Sequence, residues 1–231
     1  MDGWWVESMV RDGRIVELVA WIFWVLLSIT LHELAHGWAA IWQGDRTPIQ
    51  LGRMTANPVV HMGVPSLILF ALCGVAWGVM PVQPANFRSH KWGRLFVSAA
   101  GPLINLALAL ICLIATVVYV RATNTFSPLA SPVGQVMFTG LYLNLALFIL
   151  NMLPVPPLDG STILGAFSFR IRMFYAQPQA AMIGLFALII IFFWTPIGDL
   201  IFGGIAKHAL EAVHTLTGFN ALIEQAIESQ P

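Results

Sequence analysis

Apolar residues gather into five runs along the chain, at about 16–43, 64–80, 95–120, 133–153 and 179–204. Charges collect between them: Asp45, Arg46 and Arg53, then Arg88, Lys91 and Arg94, then Arg121, then Arg170 and Arg172. Runs such as 103–120 approach the roughly 20 apolar residues that span a bilayer. The pattern predicts an all-α membrane protein, a polytopic helical bundle forming one domain over 1–231. Before the first run, 1–15 mixes Trp4, Trp5, Glu7, Arg11, Asp12 and Arg14. It has no apolar core of a cleavable signal and reads as an interfacial segment. After the last run, 205–231 is mildly amphipathic and reads as a surface tail, leaving 16–204 as the membrane core.

Two stretches fit neither span nor ordinary loop. Residues 44–65, "GDRTPIQLGRMTANPVVHMGVP", predict a short irregular or β-like region embedded in the membrane after the first span. "NMLPVPPLDG" (151–160) sets three prolines directly after an apolar run. Irregular backbone at membrane depth is tolerated where protein or a wet cavity surrounds it, so these prolines predict a buried, partly hydrated site near Asp159.

Composition agrees with the pattern. Of 231 residues, 58% are hydrophobic and 10% charged, and the mean hydropathy is +0.79. A soluble domain needs more charge to cover its surface; the lipid bilayer is the expected partner. A formal net charge of zero supplies no argument for nucleic acid. Cys73 and Cys112 lie in apolar runs without a CxxC spacing and read as packing residues.

Against this background "HELAH" (32–36) stands out, because charged residues inside a membrane helix are costly and usually functional. Residues i and i+4 share a helix face, so His32 and His36 can direct imidazole nitrogens to one point. Glu33 lies beside them as a general base. This is the HExxH arrangement of zinc hydrolases, and a catalytic zinc needs a third protein ligand. His61, His90, His208, His214, Asp45, Asp159 and Asp199 are the candidates. Asp159 is favoured by the proline-broken backbone before it, although "LDG" is also a common turn sequence.

In order along the chain, "HELAHGWAA", "GRMTANPVVH", "AAGPLINLALA" and "NMLPVPPLDG" resemble the site-2 protease family of intramembrane zinc metalloproteases. The likeness is to the compact bacterial and archaeal type without PDZ or CBS domains, and it runs from about residue 29 to 160. The resemblance implies a Zn2+ cofactor held by His32, His36 and Asp159, with Glu33 as base. It implies a catalytic role for Asn151, on the substrate strand or the oxyanion, and leaves His61 as a possible second-shell or substrate residue. Two departures occur: Gly63 stands where Asp is usual, and Met80 replaces the lysine that commonly precedes the "PVP" element.

A zinc shared by the first and fourth runs requires those runs to point the same way. One of the two runs between them must then fail to cross, and the short 64–80 run reads as re-entrant. The implied function is hydrolysis of peptide bonds in or near transmembrane helices of a membrane-protein substrate. The alternative is a non-proteolytic, zinc-containing membrane scaffold or client-binding relative. The resemblance implies a prokaryotic inner membrane, and the excess of basic loops on one side puts zinc nearer the cytoplasm. Nothing in the sequence sets the substrate or the oligomeric state.

Overall fold

The computed structural model describes residues 4–218, among which there is no strand. The helices are α1 (Trp5–Arg11), α2 (Ile15–Trp42), α3 (Thr47–Gln50), α4 (Pro58–Cys73) and α5 (His90–Thr123). They continue as α6 (Pro132–Met152), α7 (Asp159–Phe167), α8 (Phe169–Tyr175), α9 (Pro178–Trp194) and α10 (Pro196–Thr217). Three of them, α2, α5 and α6, are long and apolar enough to cross a membrane.

The logic of the bundle is plainest on α5. Gly101, Asn105, Ala109, Cys112, Thr116 and Val120 are buried, a stripe of small and polar residues at spacings of three and four. Leu103, Leu110, Ile111, Ile114 and Val118 are all more than half exposed. Large apolar side chains therefore face outward, toward lipid, and small ones let helices approach, as expected where water does not drive association. Ala109, Cys112 and Val120 pack with Phe138 and Leu141 of α6 and with Ala209 and Val213 of α10. On the other side Val25 and Ile29 of α2 pack with Met62 and Phe70 of α4 and Leu143 of α6.

Contacts fix the helix directions. His32 and His36, late in α2, meet Asn105 and the Val97 carbonyl, early in α5. Asn105 meets Asn144 while Tyr119 meets Ser131, so α5 opposes α6 as well. Helices α2 and α6 are thus parallel, with α5 the one long apolar helix between them. The intervening α4 is short and does not continue onward. It bends at Gly63 (φ 69°, ψ 164°), a region open essentially to glycine alone. After Cys73 the chain doubles back along α4. Val79 N–H donates to the His61 carbonyl (3.0 Å), and Ser66 Oγ bonds both the Trp77 carbonyl and its N–H (2.7 and 2.9 Å). The region after α2 is therefore irregular and helical rather than β-like.

Two further features differ from the sequence reading. The 179–204 run is two helices, broken where Thr195 caps α10 (Ile197 N–H to Oγ1, 3.2 Å). Pro196 has no N–H and cannot continue α9, but its fixed φ suits the first turn of α10. The surface tail expected from residue 205 is helical to Thr217, with Ile205, Ala209 and Val213 buried one turn apart. Lys207 and Glu211 lie exposed and pair with each other (3.8 Å). Residues 219–231 of that tail lie outside the described residues, as do 1–3.

Candidate metal centre

Helical spacing places His32 and His36 one turn apart on α2, both buried, with their rings edge-to-face at 4.6 Å. Their Nε2 atoms are 3.0 Å apart. Asp159 enters from the first residue of α7, after a stretch too rich in proline to extend α6. Tight turns hold that stretch: Val155 N–H donates to the Leu153 carbonyl (2.8 Å) and Leu158 N–H to the Val155 carbonyl (2.9 Å). Asp159 Oδ2 thereby sits 3.1 Å from His32 Nε2 and 3.3 Å from His36 Nε2. Among the described residues this is the group of His, Cys, Asp and Glu whose ligand atoms converge on one point.

The donor set fits zinc. Tetrahedral coordination with bonds of about 2.0–2.1 Å separates ligand atoms by about 3.3–3.4 Å, close to the 3.0–3.3 Å found here. Each imidazole also has its other nitrogen engaged: His32 Nδ1 with Asn105 Oδ1 at 2.6 Å and His36 Nδ1 with the Val97 carbonyl at 2.7 Å. Partners of this kind orient metal-binding histidines.

The remaining candidates lie outside this group, His90 and Asp199 at exposed positions. His61 is buried, but its Nε2 donates to the Thr55 carbonyl (2.6 Å). His208 pairs with Glu211 (2.9 Å), and His214 lies against Phe126. Asp45 is fully buried and accepts from Thr47 N–H, Thr47 Oγ1, Gln83 N–H and Asn86 Nδ2. Burial acts to raise its carboxyl, but these hydrogen bonds outweigh burial and hold it below the usual carboxylate range. The amide of Asn151 donates to the Leu147 carbonyl of its own helix (3.0 Å).

Glu33 is buried next to His32 and is walled by the segment returning along α4. A side chain at Gly78 would begin 2.5 Å from Glu33 Oε1. Gly101 forms the opposite wall, where a β-carbon would lie 2.5 Å from both Nε2 atoms. Beside the site is a cavity of about 300 Å3, bounded by His36, Asp159, Arg94, Ser98, Met80 and Phe87 among others. Asp45 and its bonds to 83–86 hold the loop that carries Phe87. Of the residues around the site, Asn144 and Arg94 carried no signal of a role in the sequence.

Comparison with known proteins converges with this geometry. The model of "Peptidase family M50" matches residues 20–137 and 127–194. The chain is 31% identical over 182 residues to "Putative zinc metalloprotease YwhC" of Bacillus subtilis, covering 77% of this chain and 81% of that one. It is 31% identical over 171 residues to "Putative zinc metalloprotease Rip2" of Mycobacterium tuberculosis, covering 67% of this chain and 58% of the relative. With "Zinc metalloprotease Rip1" of Mycobacterium bovis it shares 27% identity over 129 residues, 48% of this chain and 31% of the relative. No solved structure matches. A converging His-His-Asp group on a bundle of membrane-spanning length, joined to these matches, establishes that the chain is a multi-pass zinc metalloprotease and belongs to peptidase family M50.

Proposed function

We propose that the protein is an intramembrane endopeptidase that hydrolyses peptide bonds in or near transmembrane helices of membrane-protein substrates. The observation that carries this reading is the placement of His32, His36, Asp159 and Glu33 among the helices of membrane-spanning length, beside a cavity. His32, His36 and Asp159 hold the ion. Zinc, when bound, supplies Lewis acidity toward water and the scissile carbonyl.

The chain's own groups do the rest. Glu33 takes the proton from the attacking water and returns it to the leaving amine, the part of a general base that becomes a general acid. Asn151 retains a second amide N–H beyond the one given to Leu147, and offers it to the developing oxyanion. The cavity of about 300 Å3 is too small for a helix 10–12 Å across. It suits an extended segment, and a helical substrate must unwind to free its carbonyls before attack.

The bacterial relatives favour a prokaryotic inner membrane, and charge favours the site nearer the cytoplasm. Arg46, Arg53, Arg88, Lys91, Arg94, Arg170 and Arg172 lie between α2 and the first turns of α5 or on α8, toward the ligand end, against Arg11, Arg14 and Arg121 at the other. Whole-chain organisation as a single protease domain belongs to the same proposal.

The test is cleavage of a single-span membrane protein by the purified, zinc-loaded enzyme in liposomes, with products mapped by mass spectrometry. Cuts within or next to the span are expected from the wild type and none from Glu33→Gln at equal zinc content. A zinc-loaded wild type that binds the span without cutting it would support a scaffold instead.

A further inference from the structure

Asn105 and Asn144 are fully buried at the centre of the bundle, and neither lines the cavity. We propose that they are positioning residues, forming a one-way hydrogen-bond chain from α6 through α5 that keeps His32 protonated at Nδ1 and leaves Nε2 free for the metal. This rests on the zinc-site reading above and adds to it how one ligand is oriented.

The direction follows from the far end. Asn144 meets the Gly140 carbonyl at 2.9 Å, and a carbonyl can only accept, so the Asn144 amide nitrogen faces it. The Asn144 carbonyl oxygen therefore faces Asn105 and must accept from Asn105 Nδ2, at 3.0 Å. That turns Asn105 Oδ1 toward His32 Nδ1, at 2.6 Å, and an amide oxygen needs a proton from the ring. In neutral imidazole one nitrogen donates and the other accepts, so Nε2 is left with its lone pair on the side of His36 and Asp159. Flipping Asn105 alone would set its oxygen against that of Asn144 and its N–H2 against the ring N–H, breaking two buried bonds at once. Flipping Asn144 as well would abandon the bond to Gly140. One arrangement satisfies every group.

The two histidines thus differ. His36 is held by a backbone carbonyl, that of Val97, which side-chain substitution leaves in place. His32 depends on side chains from two other helices. Orientation of His32 therefore reports whether α2, α5 and α6 are packed together, and correct packing of the bundle precedes tight metal binding.

The experiment measures zinc affinity by chelator competition on purified protein in detergent, alongside thermal melting of the zinc-free protein. Asn105→Leu should weaken zinc by about 10–100-fold, the usual cost of losing such a partner. Asn144→Leu, which never touches His32, should weaken it by about 10-fold. The double variant should lose no more than Asn105→Leu alone, since both act through one bond. Asn105→Asp should keep tighter zinc binding than Asn105→Leu, because a carboxylate still accepts from Nδ1–H, and should fall short of wild type because its second oxygen now opposes that of Asn144.

Unchanged affinity in both leucine variants, additive losses in the double, or an Asn105→Asp as weak as Asn105→Leu would overturn the proposal. If the leucine variants do not fold, imidazole 15N shifts of the zinc-loaded wild type decide it. A protonated Nδ1 with coordinated Nε2 on His32 is expected, and coordination through Nδ1 refutes the chain. His32→Ala separates the two levels: full zinc affinity in that variant refutes the site itself, whereas lost zinc there with normal binding in Asn105→Leu refutes only the positioning.

Discussion

Asp45 is fully buried and Asp159 borders the cavity, and their surroundings are opposite. Asp45 is ringed by donors from Thr47, Gln83 and Asn86, so its charge is satisfied within the fold. Asp159 faces the Nε2 atoms of His32 and His36 at 3.1 and 3.3 Å, nitrogens whose partners at Nδ1 leave lone pairs pointing inward. Three electron-rich atoms this close repel one another until a proton or a metal ion joins them. An acid among donors is a structural tie, whereas one among acceptors is a candidate site.

Substitutions can break this contrast. The largest effect is expected for Asp159→Ala, which should lose stoichiometric zinc and reduce turnover to background while the fold persists. Metal analysis and cleavage on one sample check both. Next comes Glu33→Gln, with zinc retained and turnover lower by about 10²–10⁴-fold, the range for a general base; appreciable cleavage by this variant would sink the proposed chemistry. Asn151→Ala should reduce turnover by about 10²–10³-fold, as when an oxyanion donor is removed, with melting temperature and zinc content unchanged. If Asn151 only ties down the Leu147 carbonyl, stability falls instead and activity follows the folded fraction.

Asp45→Asn should have the smallest effect on turnover. Its zinc content stays at the wild-type level while stability drops by about 1–3 kcal/mol, because the new N–H2 faces donors. Since the folded carboxyl lies below its ordinary value, the Asp45 contribution is fully present above the unfolded pKa of about 3.9. It disappears as pH falls through the folded value. Melting curves of wild type and Asp45→Asn should therefore converge as the medium is acidified below about pH 4.

The contrast between the two acids was only partly legible in the sequence. HExxH could be read because i, i+4 geometry is local, and Asp159 because prolines announce irregular backbone. Asn105 showed as a polar residue in an apolar run, but its partner depends on how α5 is rotated against α2 and α6, which no local pattern encodes. The break at Pro196 was hidden by apolar residues on both sides. Lys207 and Glu211 disguised 205–217 as a surface tail, although Ile205, Ala209 and Val213 recur every four residues and mark the buried face. The β-friendly residues of 44–65 suggested strands, yet prolines at 48, 58 and 65 leave few donors for a ladder.

Gly101 has a further consequence. A methyl group there would lie 2.5 Å from both Nε2 atoms, in the space where the three proposed ligands converge. Gly101→Ala would thus carry its own competitor, tethered at a concentration no added ion can match. The chamber is shaped as much by a missing carbon as by the ligands around it. Adding that carbon would give a protease sealed against its metal, with every ligand still in the chain.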